Sequence, residues 1–258
     1  MTLKEIRDEA WAIARVSSSE PDESKLWNKS EMNRYINRVY RKIARETRCI
    51  RDAFTSSVCR IDISPPASLA VLQALAVNDV FAADDLAGYN DVDSWLSGKL
   101  VAPRLFPLHP TILDIDEIKW KNWPWRLTVV SVTKWQNNPF WERIVGSPTE
   151  CATDYQNGYL TLNYRTTASD TLLMKVRRLP LTDLINDTDA PEFRTNYHDL
   201  MVNGVLAQMY AKQDAETIDL KKASDYEIAY RNDIDDIKQQ ETIFDQRLKV
   251  NFSMSAFR

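Results

Sequence analysis

Apolar positions along the first fifty residues recur at helical spacing, and the polar residues between them suggest where each helix begins and ends. Leu3, Ile6, Ala10, Ile13 and Ala14 predict a short amphipathic helix over the first fifteen residues, ended by Ser17-Ser18-Ser19-Glu20-Pro21. Met32, Ile36, Val39 and Ile43 step by four, three and four along one face of a second helix, with Ser30 as its expected cap. The opposite face carries Arg34, Arg38, Arg41, Arg45 and Arg48, displaced by two residues or about 200° of helix rotation. Such a row reads either as a solvated charged face or as an interface where guanidinium forks meet a partner's carboxylates or phosphates.

The pattern then changes period. Cys59, Ile61 and Ile63 alternate with Arg60 and Asp62, which predicts a strand stopped by Pro65-Pro66. Residues 68–83 are rich in helix formers and predict a buried helix within 65–103. Between 103 and 180 the segments 111–119, 126–135, 159–164 and 171–178 read as strands, with Asn157-Gly158 as a hairpin turn. The simplest arrangement is a small antiparallel sandwich or barrel.

Helical spacing returns near the C-terminus. The acidic turn from Asn186 through Asp187, Asp189, Pro191 and Glu192 to Phe193 leads into a helix whose start is either Pro191 or Thr195, with Asp187 and Asp189 near its positive end. Phe193, Tyr197, Leu200, Met201 and Gly204 lie on one side and Val202, Val205, Leu206 and Met209 cover much of the rest, so this helix is expected to be buried all round. After a break at 212–216, Ala223, Tyr226, Tyr230, Ile234, Ile237 and Phe244 form one stripe. Asp225, Asp233, Asp235 and Asp236 make the remainder acidic, a counterpart for the arginine row within one subunit or between two. The tail at 248–258 keeps Phe252 and Phe257, and apolar termini of this kind dock on a partner.

The expected fold class is therefore α+β. N- and C-terminal helices form a bundle at 1–56 and 186–246, a β-rich domain with a helical insertion at 65–103 occupies 57–185, and a docking tail follows at 247–258.

Composition narrows the chemistry. The chain has 258 residues, five glycines, eight tryptophans and a net charge of -4, which disfavours Gly-rich phosphate loops and gives no general attraction to nucleic acid or membranes. Cys49, Cys59 and Cys151 are odd in number and form no C-x-x-C pair, so a reducing compartment is expected; no signal peptide or membrane span is read. The acidic loop with Asp84, Asp85, Asp91 and Asp93 lacks the EF-hand order and reads as surface. Trp120, Trp123, Trp125, Trp135 and Trp141 crowd the β region without a compact basic groove, and read as core or subunit contacts rather than a sugar- or base-binding row.

Motifs for nucleotide binding, serine hydrolysis and zinc are missing, and the two histidines are His109 and His198, the latter read as structural. Asp114 with Asp116, or Asp183 with Asp187, would be the carboxylate couple of a cell-wall hydrolase, one alternative function; a carbohydrate-binding tail module using the tryptophans is another. No catalytic residue, cofactor or metal site is expected.

Asp187-Thr188-Asp189-Ala190-Pro191-Glu192-Phe193, then Tyr197-His198-Asp199-Leu200, then Gln213-Asp214-Ala215-Glu216-Thr217, follow one another in an order that resembles the head-to-tail connector (adaptor) ring proteins of tailed bacteriophages. The two N-terminal helices with Trp27 between them and the β segment ending Tyr155-Gln156-Asn157-Gly158-Tyr159-Leu160-Thr161-Leu162 share the resemblance, which covers most of 1–60 and 105–240. It implies a structural virion protein without enzymatic activity, made in the host cytoplasm. It further implies a homo-oligomeric ring, usually of twelve copies, between the portal protein and a tail or nozzle protein, with DNA passing through its lumen without sequence-specific binding. Portal docking would fall to Phe252 and Phe257.

Overall fold

The structure, a computed structural model, describes residues 1–15, 26–64, 104–138, 141, 144–166, 168–212 and 219–254, with side chains described to 246. The helical reading of 68–83, the acidic loop at 84–93, the 212–216 break beyond Lys212, and Phe257 lie outside these residues, as does the side chain of Phe252. The protein is α+β and divides into two compact units, Met1–Ile50 with Arg178–Arg258, and Arg51–Arg177.

The first unit contains α1 (Leu3–Ile13), α2 (Lys29–Thr47), a 3-10 turn (Thr195–Tyr197), α5 (Met201–Tyr210) and α6 (Leu220–Met254). Helix α1 begins with a capping box: Thr2 Oγ1 accepts from the Glu5 amide and Glu5 Oε2 accepts from the Thr2 amide. Helix α2 is capped two residues earlier than expected. Asn28, not Ser30, accepts from the Glu31 amide at 2.9 Å, and Arg48 ends the helix in the left-handed region at φ 51°.

Helix α5 is the centre of this unit, in contact with α1, α2 and α6. Its burial on nearly every side follows from its sequence: Met201, Val202, Gly204, Val205, Leu206, Ala207, Met209 and Tyr210 are all buried. The helix starts at Met201, later than either expected start, because 191–194 run as a loop before the 3-10 turn. At Gly204 a Cβ would lie 2.8 Å from the Tyr230 ring and 3.0 Å from Val39, so α5 closes on α6 and α2 only through a glycine. Trp27 seals one end of the core, donating its indole N–H to the Met209 carbonyl at 3.0 Å and meeting Tyr210 edge-on.

The second unit holds β1 (Arg51–Asp52), α3 (Ser56–Cys59), β2 (Arg60–Ile63), β3 (Leu105–Pro107), β4 (Ile112–Trp120), β5 (Arg126–Val129), α4 (Thr133–Gln136), β6 (Glu150–Ala152), β7 (Tyr159–Leu162) and β8 (Asp170–Arg178). Its strands make one curled, mostly antiparallel sheet in the order β1-β8-β4-β5-β6-β7-β3, with β2 also on β8 and with β5 and β6 parallel. The strand expected over 126–135 is cut at Val129; Thr133–Gln136 turns helical instead, held by Asp154, which accepts from the Val132 amide and the Ser131 hydroxyl. Asn157 and Gly158 do form a turn, with Gly158 at φ 81° and the Tyr159 amide donating to the Gln156 carbonyl. It closes a six-residue connection between β6 and β7 rather than a two-residue hairpin.

Candidate interaction surfaces

The two faces of α2 separate as their spacing requires. Met32, Ile36, Val39 and Ile43 are buried against the other helices, and Arg34, Arg38, Arg41, Arg45 and Arg48 are all exposed. Arg34 lies over the Tyr35 ring and 4.0 Å from Glu31; Arg41 reaches Asp183 at 3.5 Å. Arg38 and Arg45 have no ion pair among the described residues.

On α6, Asp225, Asp235 and Asp236 are exposed and Asp233 is half-buried, accepting from Asn203 at 2.8 Å. Asp235 pairs with Lys238. No described contact joins these aspartates to the arginine row; Lys42 of α2 instead pairs with Glu227 of α6 at 3.5 Å, its ammonium also over the Tyr230 ring.

The acidic turn does something other than open a helix. The carbonyls of Asp189 and Asp187 accept from the amides of Leu3 and Lys4 at 2.7 and 3.2 Å, so with the capping box every amide of α1's first turn has a partner. The Asp187 carboxylate receives Arg7 from α1 at 3.1 Å and Lys29 from α2 at 3.0 Å. Those bonds, Lys29 first and Arg7 second, hold its pKa below the usual carboxylate value. Asp189 closes the turn on itself, accepting from the amides of Asn186 and Ile185, which lower its pKa likewise.

The rest of the motif is tied down in the same way. Pro191 is buried, and Glu192 binds Arg178 at 2.6 Å, accepts from the Leu181 amide, and donates its own amide to the Tyr40 hydroxyl. Burial raises the pKa of that hydroxyl. His198 is structural, as expected: it is buried, with Nε2 donating to the Phe193 carbonyl at 3.1 Å and Nδ1 at 2.8 Å from the Met1 amino group. Gln213, Asp214, Glu216 and Thr217 lie outside the described residues.

The carboxylates offered as a hydrolytic couple have other occupations. Asp116 pairs with Arg177 at 2.9 Å, Asp183 with Arg41, and Asp187 with Arg7 and Lys29. Among the described residues no cluster of His, Cys, Asp or Glu is arranged to hold a metal ion. Nor is any described helix long and apolar enough to cross a membrane.

Trp120, Trp135 and Trp141 are buried, each of the first two with its indole N–H on a protein acceptor, so the core reading of the tryptophans holds for these three. Trp125 is 68% exposed. Trp123, half-buried, lines a basic cleft that the linear pattern does not reveal, because its cations come from three separate strands and one turn.

Fold and surfaces together define an α+β protein whose acidic turn is tied by hydrogen bonds and ion pairs to α1, α2 and Arg178 and whose charged helical faces turn outward. The family model described as SU10 adaptor protein matches residues 1–250, and the chain belongs to that family, a phage head-to-tail adaptor family. It is thus a bacteriophage structural adaptor of the virion, associated with head and tail components. No curated protein matches the chain.

Proposed function

We propose that copies of this chain close into a ring, of twelve subunits, between the portal and the tail, and that the genome passes through its lumen during packaging and ejection. The observation that carries this reading is the outward charge on two helices of a family member: Arg38 and Arg45 on α2, and Asp225 and Asp236 on α6, are exposed and have no ion pair among the described residues. Opposite rows on one subunit are what a head-to-tail contact between identical subunits needs, because such an interface closes when the rotation it generates closes. In this reading the helices serve as the bundle at the ring's wall, and the β unit, sandwich-like, reaches the next component. Carboxylates lining the lumen repel phosphates and let duplex DNA slide. The protein catalyses nothing, and Phe252 and Phe257 seat the C-terminal end on the portal.

The test is ring assembly by Arg38→Glu, Arg45→Glu. Arg41 is a poorer choice because Asp183 already holds it. Loss of rings, with subunit folding intact by circular dichroism, is the expected result; assembly with unchanged yield and salt response would refute the charge-row interface.

A further inference from the structure

The basic cleft lined by Trp123 points to a binding surface of its own. Its volume is about 400 Å³, and its charged lining is Glu117 and Lys119 of β4, Lys121 of the β4–β5 turn, Arg126 of β5 and Lys175 of β8. All four cations are exposed. Glu117 binds Arg126 at 3.0 Å and Lys175 at 2.7 Å, an arrangement that also lowers its own pKa, through the Lys175 hydrogen bond first. Lys119 and Lys121 have no ion pair among the described residues, so the cleft keeps uncompensated positive charge in a protein whose net charge is -4.

The turn that carries Lys121 is pre-formed. The Lys121 amide donates to the Thr171 carbonyl at 2.9 Å, and Asn122 donates both its amide and its side chain to Asp170. Trp123 is braced on Trp120 with ring centroids 5.0 Å apart. A fixed turn that sets the half-buried Trp123 ring in the cleft wall is cheap to bind, because little ordering remains to be done on docking.

We infer that this cleft receives a short acidic segment of a head or tail protein, its carboxylates between Lys119 and Lys121 and an apolar side chain against Trp123. Duplex DNA fits the surface less well. Surfaces that hold DNA set many cations along the phosphate path, whereas two of the four here are already engaged by Glu117, and a pair of phosphate contacts gives only weak, salt-sensitive binding. A concave site with few free cations and one indole suits a few residues of extended chain, as in recognition of acidic motifs by basic clusters. The inference does not depend on ring formation, since it concerns a surface of the second unit and a partner other than the chain itself.

A photo-crosslinking amino acid at the exposed cleft residue Pro124, Pro124→p-benzoylphenylalanine, tests it in assembled virions. The expected product is an adduct with another virion protein, mapped to a stretch rich in Asp and Glu and lost when Lys119→Gln and Lys121→Gln are added. Both lysines are exposed, so those changes leave the fold intact, which thermal denaturation of the purified chain checks. An adduct with DNA, an adduct with a segment lacking acidic residues, an undiminished adduct in the double variant, or no adduct at all each overturns the inference.

Discussion

Arg7 and Asp187 meet at 3.1 Å across 180 residues of sequence, and the guanidinium is buried while the carboxylate stays near the surface. Asn33 of α2 accepts a further hydrogen bond from Arg7, and Lys29 approaches the other oxygen of Asp187. One carboxylate therefore joins α1, α2 and the turn that leads to α5.

This relationship makes the stability of the helical unit depend on acid in a definite direction. The pKa of Asp187 is depressed on folding, so its contribution is present above the unfolded value near 3.8 and disappears as pH falls through the lower folded value. Thermal melts of wild type and Asp187→Asn should differ near neutral pH, the variant melting lower, and converge below pH 3.8. Parallel curves across that range would show that the charge contributes nothing.

Gly204→Ala sets two effects against each other. Alanine favours the helix by about 1 kcal/mol, but its Cβ meets the Tyr230 ring at 2.8 and 2.9 Å and Val39 at 3.0 Å, and overpacking of that kind costs about 1–3 kcal/mol. The clash involves ring carbons of a side chain 1% exposed, with no room to swing aside, so the variant should be destabilised in urea. Adding Tyr230→Leu should recover much of the loss, a coupling that a double-mutant cycle reads directly.

Trp27→Phe keeps most of the ring packing and removes one donor. The Met209 carbonyl, in the last turn of α5, loses its indole partner, and the expected cost is about 1 kcal/mol. An unchanged denaturation midpoint would mean that the indole bond adds nothing beyond the Lys212 amide, which also donates to that carbonyl at 3.3 Å.

All three cysteines are buried, and none of them forms a disulfide. Burial pushes the Cys49 thiol up to about 11 and the Cys151 thiol up to about 12, so neither forms appreciable thiolate at pH 8. Labelling with a thiol-exchange reagent should proceed only as fast as the protein opens, and should reach three thiols per chain once denaturant is added. Rapid reaction of the folded protein would contradict the burial.

How far the sequence reveals this arrangement depends on the range of the contacts involved. The apolar periodicity of α2 and α5, the arginine row and the structural role of His198 all follow from spacing or from residue type within one element. The Asn28 cap was open to the same reasoning, since asparagine caps as well as serine does. The acidic turn was not. Its carboxylates look like partners for the next helix dipole, yet they serve Arg7, Lys29 and the turn's own amides, and only the tertiary arrangement selects those partners. The same limit hid β1, β3 and β6, strands of two or three residues whose pairing is set by distant segments, and the basic cleft, assembled from 117–126 and 173–175.

Electron cryo-microscopy of the head-tail junction at side-chain resolution tests the central claim most directly. The account predicts a closed ring of this chain between portal and tail, with Arg38 and Arg45 of one subunit facing carboxylates of its neighbour. Density for the chain elsewhere in the particle, or a junction in which it forms no ring, would contradict it.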